Sequence, residues 1–286
     1  MQKTASPFSA AFREKYDILE NIGTGAFGSV FLARQLSLGR EVAIKHLAPK
    51  HIPNQNLLKR FLREAKVLSA LTHPNIVEIY DYGIDGELPY LVQEFLSGRA
   101  IDEFLVDEGP ISEKRAIGIG KQVAQALRCA HDKGVIHRDL KPANIFISKE
   151  GNVKVLDFGL AMTSPEVDER LTKTGLVIGT PGYMAPELFY GKRATPCTDL
   201  YALGLMLFEM VSDQRPGEDE NGKVVAQKRL SEAAPRLNAV LKKPVSREFE
   251  NLVASMLELE PAARPKSANE LLDRFAKLES VENPTE

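Results

Sequence analysis

The stretch IGTGAFGSV, residues 22 to 30, places glycines at positions 23, 25 and 28, a G-x-G-x-x-G spacing that lets backbone come close to phosphate. What surrounds it constrains the fold more than any other feature of the chain. One use of that spacing is a βαβ dinucleotide unit, which needs a helix directly after the glycines and a second strand ending in an acid about 20 residues on. Here YDILENI (16–22) has strand character and VFLAR (30–34), just past the glycines, is apolar and β-prone. Gly39 then sits in the turn LSLGR, and EVAIKHL (41–47) alternates as another strand. Strand, glycine loop, strand, turn, strand is an antiparallel meander, and the βαβ reading fails. A hairpin with a glycine-rich tip can fold over a nucleotide's phosphates, or it can be a turn that binds nothing. The glycines alone do not choose between the two, nor does Lys45 on the third strand.

Composition narrows the class. A length of 286 residues suits one large domain or two lobes and is ample for a hydrophobic core. With a net charge of −2, nothing in the chain suggests a general nucleic-acid or membrane-surface binder. Cys129 and Cys197 are the only cysteines and no C-x-x-C or His-rich cluster is present, which argues against a disulfide framework or structural zinc and fits a reducing compartment. The N-terminal MQKTASPFSAAFREKYD lacks the apolar run of a secretory signal. The most apolar stretch, LYALGLMLFEMV (200–211), is shorter than the ~20 residues of a membrane span. The expectation is a cytoplasmic protein with no membrane span and no nucleic-acid partner.

The motifs that follow the glycines decide the matter. Val30 lies two residues past Gly28, and VAIK ends at Lys45. VIHRDLKPANIFI (135–147) contains H-R-D-L-x-x-x-N, VKVLDFGLA (153–161) contains D-F-G, and GTPGYMAPE (179–187) follows. Together these resemble the eukaryotic-like, Hanks-type serine/threonine protein kinase catalytic domain of the bacterial type, from about Tyr16 to about Phe275. Phosphoryl transfer leaves little covalent work to a protein and needs charge and positioning. An acid, a cation and metal ligands at close spacing supply both.

The resemblance implies an α+β, bilobal fold: a five-stranded antiparallel N-lobe sheet with helix αC, and a mainly helical C-lobe. The domain is expected over 12–276, with the N-lobe at about 12–95, a hinge at about 94–98 and the C-lobe at about 97–276. Residues 1–11 and 277–286 are expected to be flexible tails. By resemblance, Ile22, Gly23, Gly25, Gly28, Val30, Ala43 and Phe146 line the nucleotide site. Lys45 holds the α- and β-phosphates and pairs with Glu64, which lies on the amphipathic stretch QNLLKRFLREAKVLSAL (55–71). Gln93 is the gatekeeper, and the backbone of Glu94 and Leu96 meets the adenine. Asp139 accepts the substrate hydroxyl's proton or orients that hydroxyl, and Lys141 neutralises the transferring phosphoryl group. Asn144 and Asp157 ligate Mg²⁺, with Mn²⁺ as an alternative. ATP is therefore the implied co-substrate, and protein Ser/Thr hydroxyls are the acceptors, since Lys141 in HRDLKPAN and Thr180 in GTPGY are the family's marks of that specificity.

Further roles follow from the same resemblance. Glu187 pairs with Arg264, and Asp199 buttresses the catalytic loop. Arg138 helps to bind a phosphate on the activation segment, for which Thr172 and Thr174 are the candidates, with transient self-association for autophosphorylation. The family pattern breaks at GEDENGKVVAQKR (217–229), where a charged segment replaces an apolar turn and reads as a solvated surface insertion. The chain reads either as a minimal kinase or as the catalytic part of a larger one. A pseudokinase acting as a binding module is the rival reading, and the presence of Lys45, Asp139, Asn144 and Asp157 weighs against it. A small-molecule kinase is a third, set apart by the G-T-x-x-Y-x-A-P-E segment.

Overall fold

Alternation in the glycine-bearing meander requires two differently populated faces, and the computed structural model of the protein has them. It describes residues 7–25, 28–47, 55–158, 181–218 and 226–282. The chain divides into two compact units, Met1–Ser97 and Gly98–Glu286.

In the first unit, β1 (Tyr16–Gly25), β2 (Gly28–Gln35), β3 (Arg40–Leu47), β4 (Ile79–Asp85) and β5 (Leu88–Glu94) form a five-stranded sheet in the order β1-β2-β3-β5-β4. All of its pairings are antiparallel. Register sets Lys45 opposite Val30 and Leu91, and Ala43 opposite Leu32 and Gln93, so these residues share one face. Phe31, Ile44 and Val92 share the other, where they form a buried cluster with Ala33 and Val42. Helix α2 (Gln55–Ser69) buries Phe61, Ala65 and Leu68.

A short helix, α1 (Ala10–Arg13), joins the second face of the sheet. Phe8 and Phe12 stack at 4.4 Å between ring centroids; Phe8 meets Phe31 and His46 edge-on, and Phe12 meets Tyr90. Both phenylalanines are buried, each worth roughly 1.5–3 kcal/mol of transfer free energy. Ser9 caps the helix by accepting the Phe12 N–H, while its own N–H and hydroxyl donate to the two carboxylate oxygens of Asp85 at 2.7 and 2.5 Å. The expected tail over 1–11 is thus corrected from residue 7 onward. Phe8 and Phe12 have a greasy sheet face to cover, and Ser9 has a strand-end carboxylate to hold. Strand β4 begins only at Ile79, because the chain before it turns: the Asn75 N–H bonds His73 Nδ1 and the Ile76 N–H bonds the His73 carbonyl.

In the second unit, β6 (Arg99–Ala100), β7 (Ile145–Ile147) and β8 (Val153–Val155) form a small antiparallel sheet. The helices are α3 (Ile101–Glu108), α4 (Glu113–His131), α5 (Pro186–Phe189), α6 (Pro196–Ser212), α7 (Ala226–Ser231), α8 (Leu237–Val240), α9 (Arg247–Met256) and α10 (Ala268–Glu282). Ser112 caps α4, which buries Ile117, Val123, Ala126, Leu127 and Ala130 and packs on α6 and α10. Helix α6 is apolar on nearly all sides and is buried along most of its length. Because α10 runs to Glu282 with Leu278 buried, residues 277–282 are helix and not the expected tail. No helix among the described residues is long and apolar enough to cross a membrane.

Candidate active site

In the first unit, the hairpin of β1 and β2 brings Gly25 opposite Gly28. Asn21 props the loop: its Oδ1 accepts the Gly23 N–H at 3.0 Å, and its amide donates to the Thr24 hydroxyl at 3.1 Å. The three glycines have different reasons to be there. A Cβ on Gly28 would lie 1.9 Å from the His46 carbonyl oxygen, so the sheet itself demands glycine. A Cβ on Gly25 would meet nothing within 4 Å, and one on Gly23 would meet only the Val30 Cβ at 4.0 Å. Nothing among the described residues requires glycine at those two positions.

Lys45 is half-buried on β3, on the face that carries Val30, Ala43 and Gln93. Glu64 lies on α2 three residues after Phe61 and four before Leu68, hence on the inward stripe, and is half-buried. Ile22 is exposed. The Gln93 side chain is buried, and its Oε1 has no hydrogen-bond partner among the described residues. The Glu94 N–H donates to the Glu78 carbonyl at 2.9 Å. Leu96 is half-buried beyond the end of β5.

In the second unit, the loop between α4 and β7 hangs on one buried carboxylate. Asp199, 1% exposed on α6, accepts the His137 N–H at 2.8 Å, the Arg138 N–H at 2.9 Å and lies 2.8 Å from His131 Nε2. Arg138 is held there at φ 70°, a left-handed conformation that a non-glycine residue adopts only under constraint. His137 in turn bonds the Leu156 carbonyl at 2.8 Å and packs on Phe158. Lys141 Nζ sits 2.7 Å from Asp139 Oδ2, and the Asn144 amide donates to the Asp139 carbonyl at 2.8 Å. The Leu156 N–H bonds the Asn144 carbonyl, which ties the residue before Asp157 to the same loop. Asp157 itself has φ 55°, and Phe146 on β7 is half-buried. Asp139, Lys141 and Asn144 are therefore one constellation, tied through Leu156 to Asp157.

Glu187 and Arg264 form a bidentate pair at 2.9 and 2.8 Å, both buried, with the Thr198 hydroxyl donating to Glu187 as well. Burial pushes the Glu187 carboxyl up, but the hydrogen bonds and charge of Arg264 outweigh it and hold the group below its ordinary value. Gly159 and residues through Thr180, including the candidate acceptors Thr172 and Thr174, lie outside the described residues. The expectation of a solvated insertion over 217–229 is corrected at both of its ends. Glu218 pairs with the Arg215 guanidinium at 2.9 Å, and Arg229 is 2% exposed because its guanidinium donates to the carbonyls of Gly182 and Pro216 inside the fold.

Among the described residues, no group of three or more His, Cys, Asp and Glu side chains forms a metal cage. The available set, one amide oxygen on Asn144 and one carboxylate on Asp157, fits Mg²⁺. That ion takes one or two protein oxygens and fills its shell with phosphate oxygens and water. With its NH₂ committed to the Asp139 carbonyl, the Asn144 amide has its oxygen as the end left for a cation.

The architecture is the bilobal protein-kinase fold, with five antiparallel strands in the first lobe and a helical second lobe. The family model "Protein kinase domain" matches residues 16–275. The serine/threonine-protein kinase PrkC of Bacillus subtilis is 36% identical over 257 residues, covering 90% of this chain and 39% of PrkC. The kinase domain of Mycobacterium tuberculosis PknI superposes with a TM-score of 0.74 at 25% identity, covering 97% of this chain and 99% of that one. Rad53 1-466 in complex with AMP-PNP gives a TM-score of 0.77 at 26% identity, covering 92% of this chain and 65% of that one. This chain belongs to the protein kinase family, as a Hanks-type serine/threonine kinase domain of the bacterial kind. It spans less than half the length of relatives such as PrkC.

Proposed function

We propose that the chain is an ATP- and Mg²⁺-dependent protein kinase that transfers the γ-phosphoryl group to Ser and Thr hydroxyls of proteins and phosphorylates its own activation segment. The observation that carries this reading is the Asp139–Lys141–Asn144 constellation suspended from Asp199. Asp139 uses the carboxylate oxygen not engaged by Lys141 to orient the acceptor hydroxyl and take its proton. The hydroxyl oxygen bonds to the γ-phosphorus as the bond to the β-phosphate oxygen breaks, and ADP leaves. Lys141 faces the charge that develops on the transferred group. Asn144 and Asp157 would hold Mg²⁺, which when bound would offset the triphosphate's charge. Mn²⁺ offers the same oxygen chemistry.

In the first unit, the Gly23 and Gly25 backbone approaches the phosphates, and Gly28 keeps the hairpin closed over them. Lys45, steadied by Glu64, neutralises the α- and β-phosphates. Ile22, Val30 and Ala43 face the adenine, a role the family resemblance gives to Phe146 as well; the Glu94 carbonyl and Leu96 N–H bond its edge, and Gln93 limits the depth behind it. The AMP-PNP complex of Rad53 supports the nucleotide assignment. The test is incubation with γ-labelled ATP and Mg²⁺, followed by mapping of the modified residues. Label on protein serine and threonine, with Thr172 or Thr174 among the sites, is expected; no protein-bound label in the presence of ATP and metal would overturn the reading.

A further inference from the structure

The segment that breaks the family pattern ends in a buried cation. Arg229, on α7, donates through Nη1 to the carbonyls of Gly182 and Met184 at 3.1 and 3.4 Å. Through Nη2 it donates to the carbonyl of Pro216 at 2.6 Å. One side chain thereby ties residues 182–184, the end of the activation segment, to the loop that follows α6. The loop is shaped around it: Gly217 has φ +79°, and a Cβ there would come 2.8 Å from Arg229 Nε. Burying a cation costs several kcal/mol unless its donors are satisfied; here Nη1 and Nη2 are, while Nε has no hydrogen-bond partner among the described residues. A planar fork can meet carbonyls from two separate chain segments at once, which a lysine's point charge cannot do in the same geometry.

A second set of bonds holds the same segment through the Tyr183 side chain. Tyr183 donates its hydroxyl to Glu209 on α6, and Arg215 donates to the Tyr183 oxygen at 3.3 Å while pairing with Glu218. Residues 182–184 are thus fixed by both backbone and side chain, two residues beyond Thr180, which the family resemblance sets beside Asp139 and Lys141. In the kinase reading proposed above, the acceptor polypeptide that brings its hydroxyl to Asp139 lies along this stretch.

We propose that Arg229 is a positioning residue for acceptor recognition: it holds Gly182–Met184 in the conformation that an extended Ser/Thr-containing polypeptide docks against, and so sets affinity for protein substrate apart from affinity for ATP. This rests on the kinase reading above. The test compares wild type with Arg229→Met, Arg229→Lys and Gly217→Ala. The measurements are KM for a Ser/Thr acceptor peptide, KM for ATP, and amide exchange of the peptide spanning 181–185. Arg229→Met should raise the acceptor KM about tenfold, the scale of one net hydrogen bond, with KM for ATP held within about twofold. Exchange over 181–185 should quicken by a similar factor. Arg229→Lys should fall between, and Gly217→Ala, which crowds Nε, should move both readouts the same way by less. An unchanged acceptor KM in folded Arg229→Met overturns the inference; should that variant not fold, unchanged KM and exchange in Gly217→Ala overturn it. A wild type that labels no acceptor fails the kinase reading, and the exchange measurement then decides by itself whether Arg229 positions the segment.

Discussion

Asp199→Asn is the substitution that most directly loads the catalytic loop's support. Asparagine keeps the shape of the side chain but replaces one acceptor oxygen by an NH₂. If the amide nitrogen takes the place of Oδ1, it faces the Arg138 N–H, and that part-buried donor is orphaned. If it takes the place of Oδ2, it faces both the His137 N–H and His131 Nε2. The first orientation is the cheaper and sets the minimum cost: one hydrogen bond to a charged group, about 1.5–3 kcal/mol. Arg138 at φ 70° adds a further term, because this strain of roughly 1–3 kcal/mol persists only while its surroundings enforce it. Urea denaturation should therefore show a loss of at least 2 kcal/mol or so, with unchanged slope. Asp139 follows Arg138 directly, so its carboxylate should shift, and a displacement on the ångström scale costs about 10²-fold in turnover. Stability within about 0.5 kcal/mol of wild type, with unchanged kcat, would refute the argument that Asp199 holds the loop.

Other outcomes follow from the same geometry. Gly28→Ala should destabilise the first unit by roughly 1–3 kcal/mol through the clash with the His46 carbonyl, whereas Gly25→Ala should leave the melting temperature unchanged and raise KM for ATP; equal effects on stability would refute the division of roles. Phe12→Ala should cost about 3–5 kcal/mol in thermal or urea denaturation, and a loss below 1 kcal/mol would mean that residues 7–13 do not cover the sheet. Glu187→Gln should cost about 3–5 kcal/mol at neutral pH by leaving the Arg264 charge buried and unpaired. Because the folded Glu187 carboxyl lies below its ordinary value of about 4.3, its contribution is fully present above that range and fades as pH falls through the folded value. The stability gap between wild type and variant should narrow on going from neutral pH to below about 4, and a constant gap would contradict the assignment.

The parts of this fold legible in the sequence are those in which local pattern and contact coincide. Period-2 alternation through VFLAR and EVAIKHL puts Val30, Ala43 and Lys45 on one face whatever packs against them, and ladder pairing then sets them in register. Helix α4 shows its buried stripe in the spacing of Ile117, Val123, Leu127 and Ala130 for the same reason. What escaped was decided by distant partners. Phe8 and Phe12 are too few and too near the start to show a period, and what buries them is a sheet face made by strands far along the chain. Arg229 reads as solvated because its acceptors are backbone carbonyls, which have no signature in side-chain composition. Gly28 looks equivalent to Gly23 and Gly25 until the approach of the His46 carbonyl separates them. His131, which bonds Asp199, sits a full motif upstream of the loop it helps to hold, in a helix whose apolar spacing gives no reason to single it out.

The central proposal is that Asn144, on the loop that Asp199 supports, and Asp157, tied to that loop through Leu156, bring Mg²⁺ to ATP for transfer to protein hydroxyls. Side-by-side initial rates of γ-phosphoryl transfer to an acceptor peptide test it most directly, for wild type and Asp157→Asn across a Mg²⁺ titration. The account predicts wild-type turnover that saturates with Mg²⁺, reaches roughly 1–100 s⁻¹ when activated and vanishes with chelator, and an Asp157→Asn variant that folds normally but stays inactive at every metal concentration. Wild-type transfer that persists without divalent metal, or an Asp157→Asn variant that matches wild type, would contradict it.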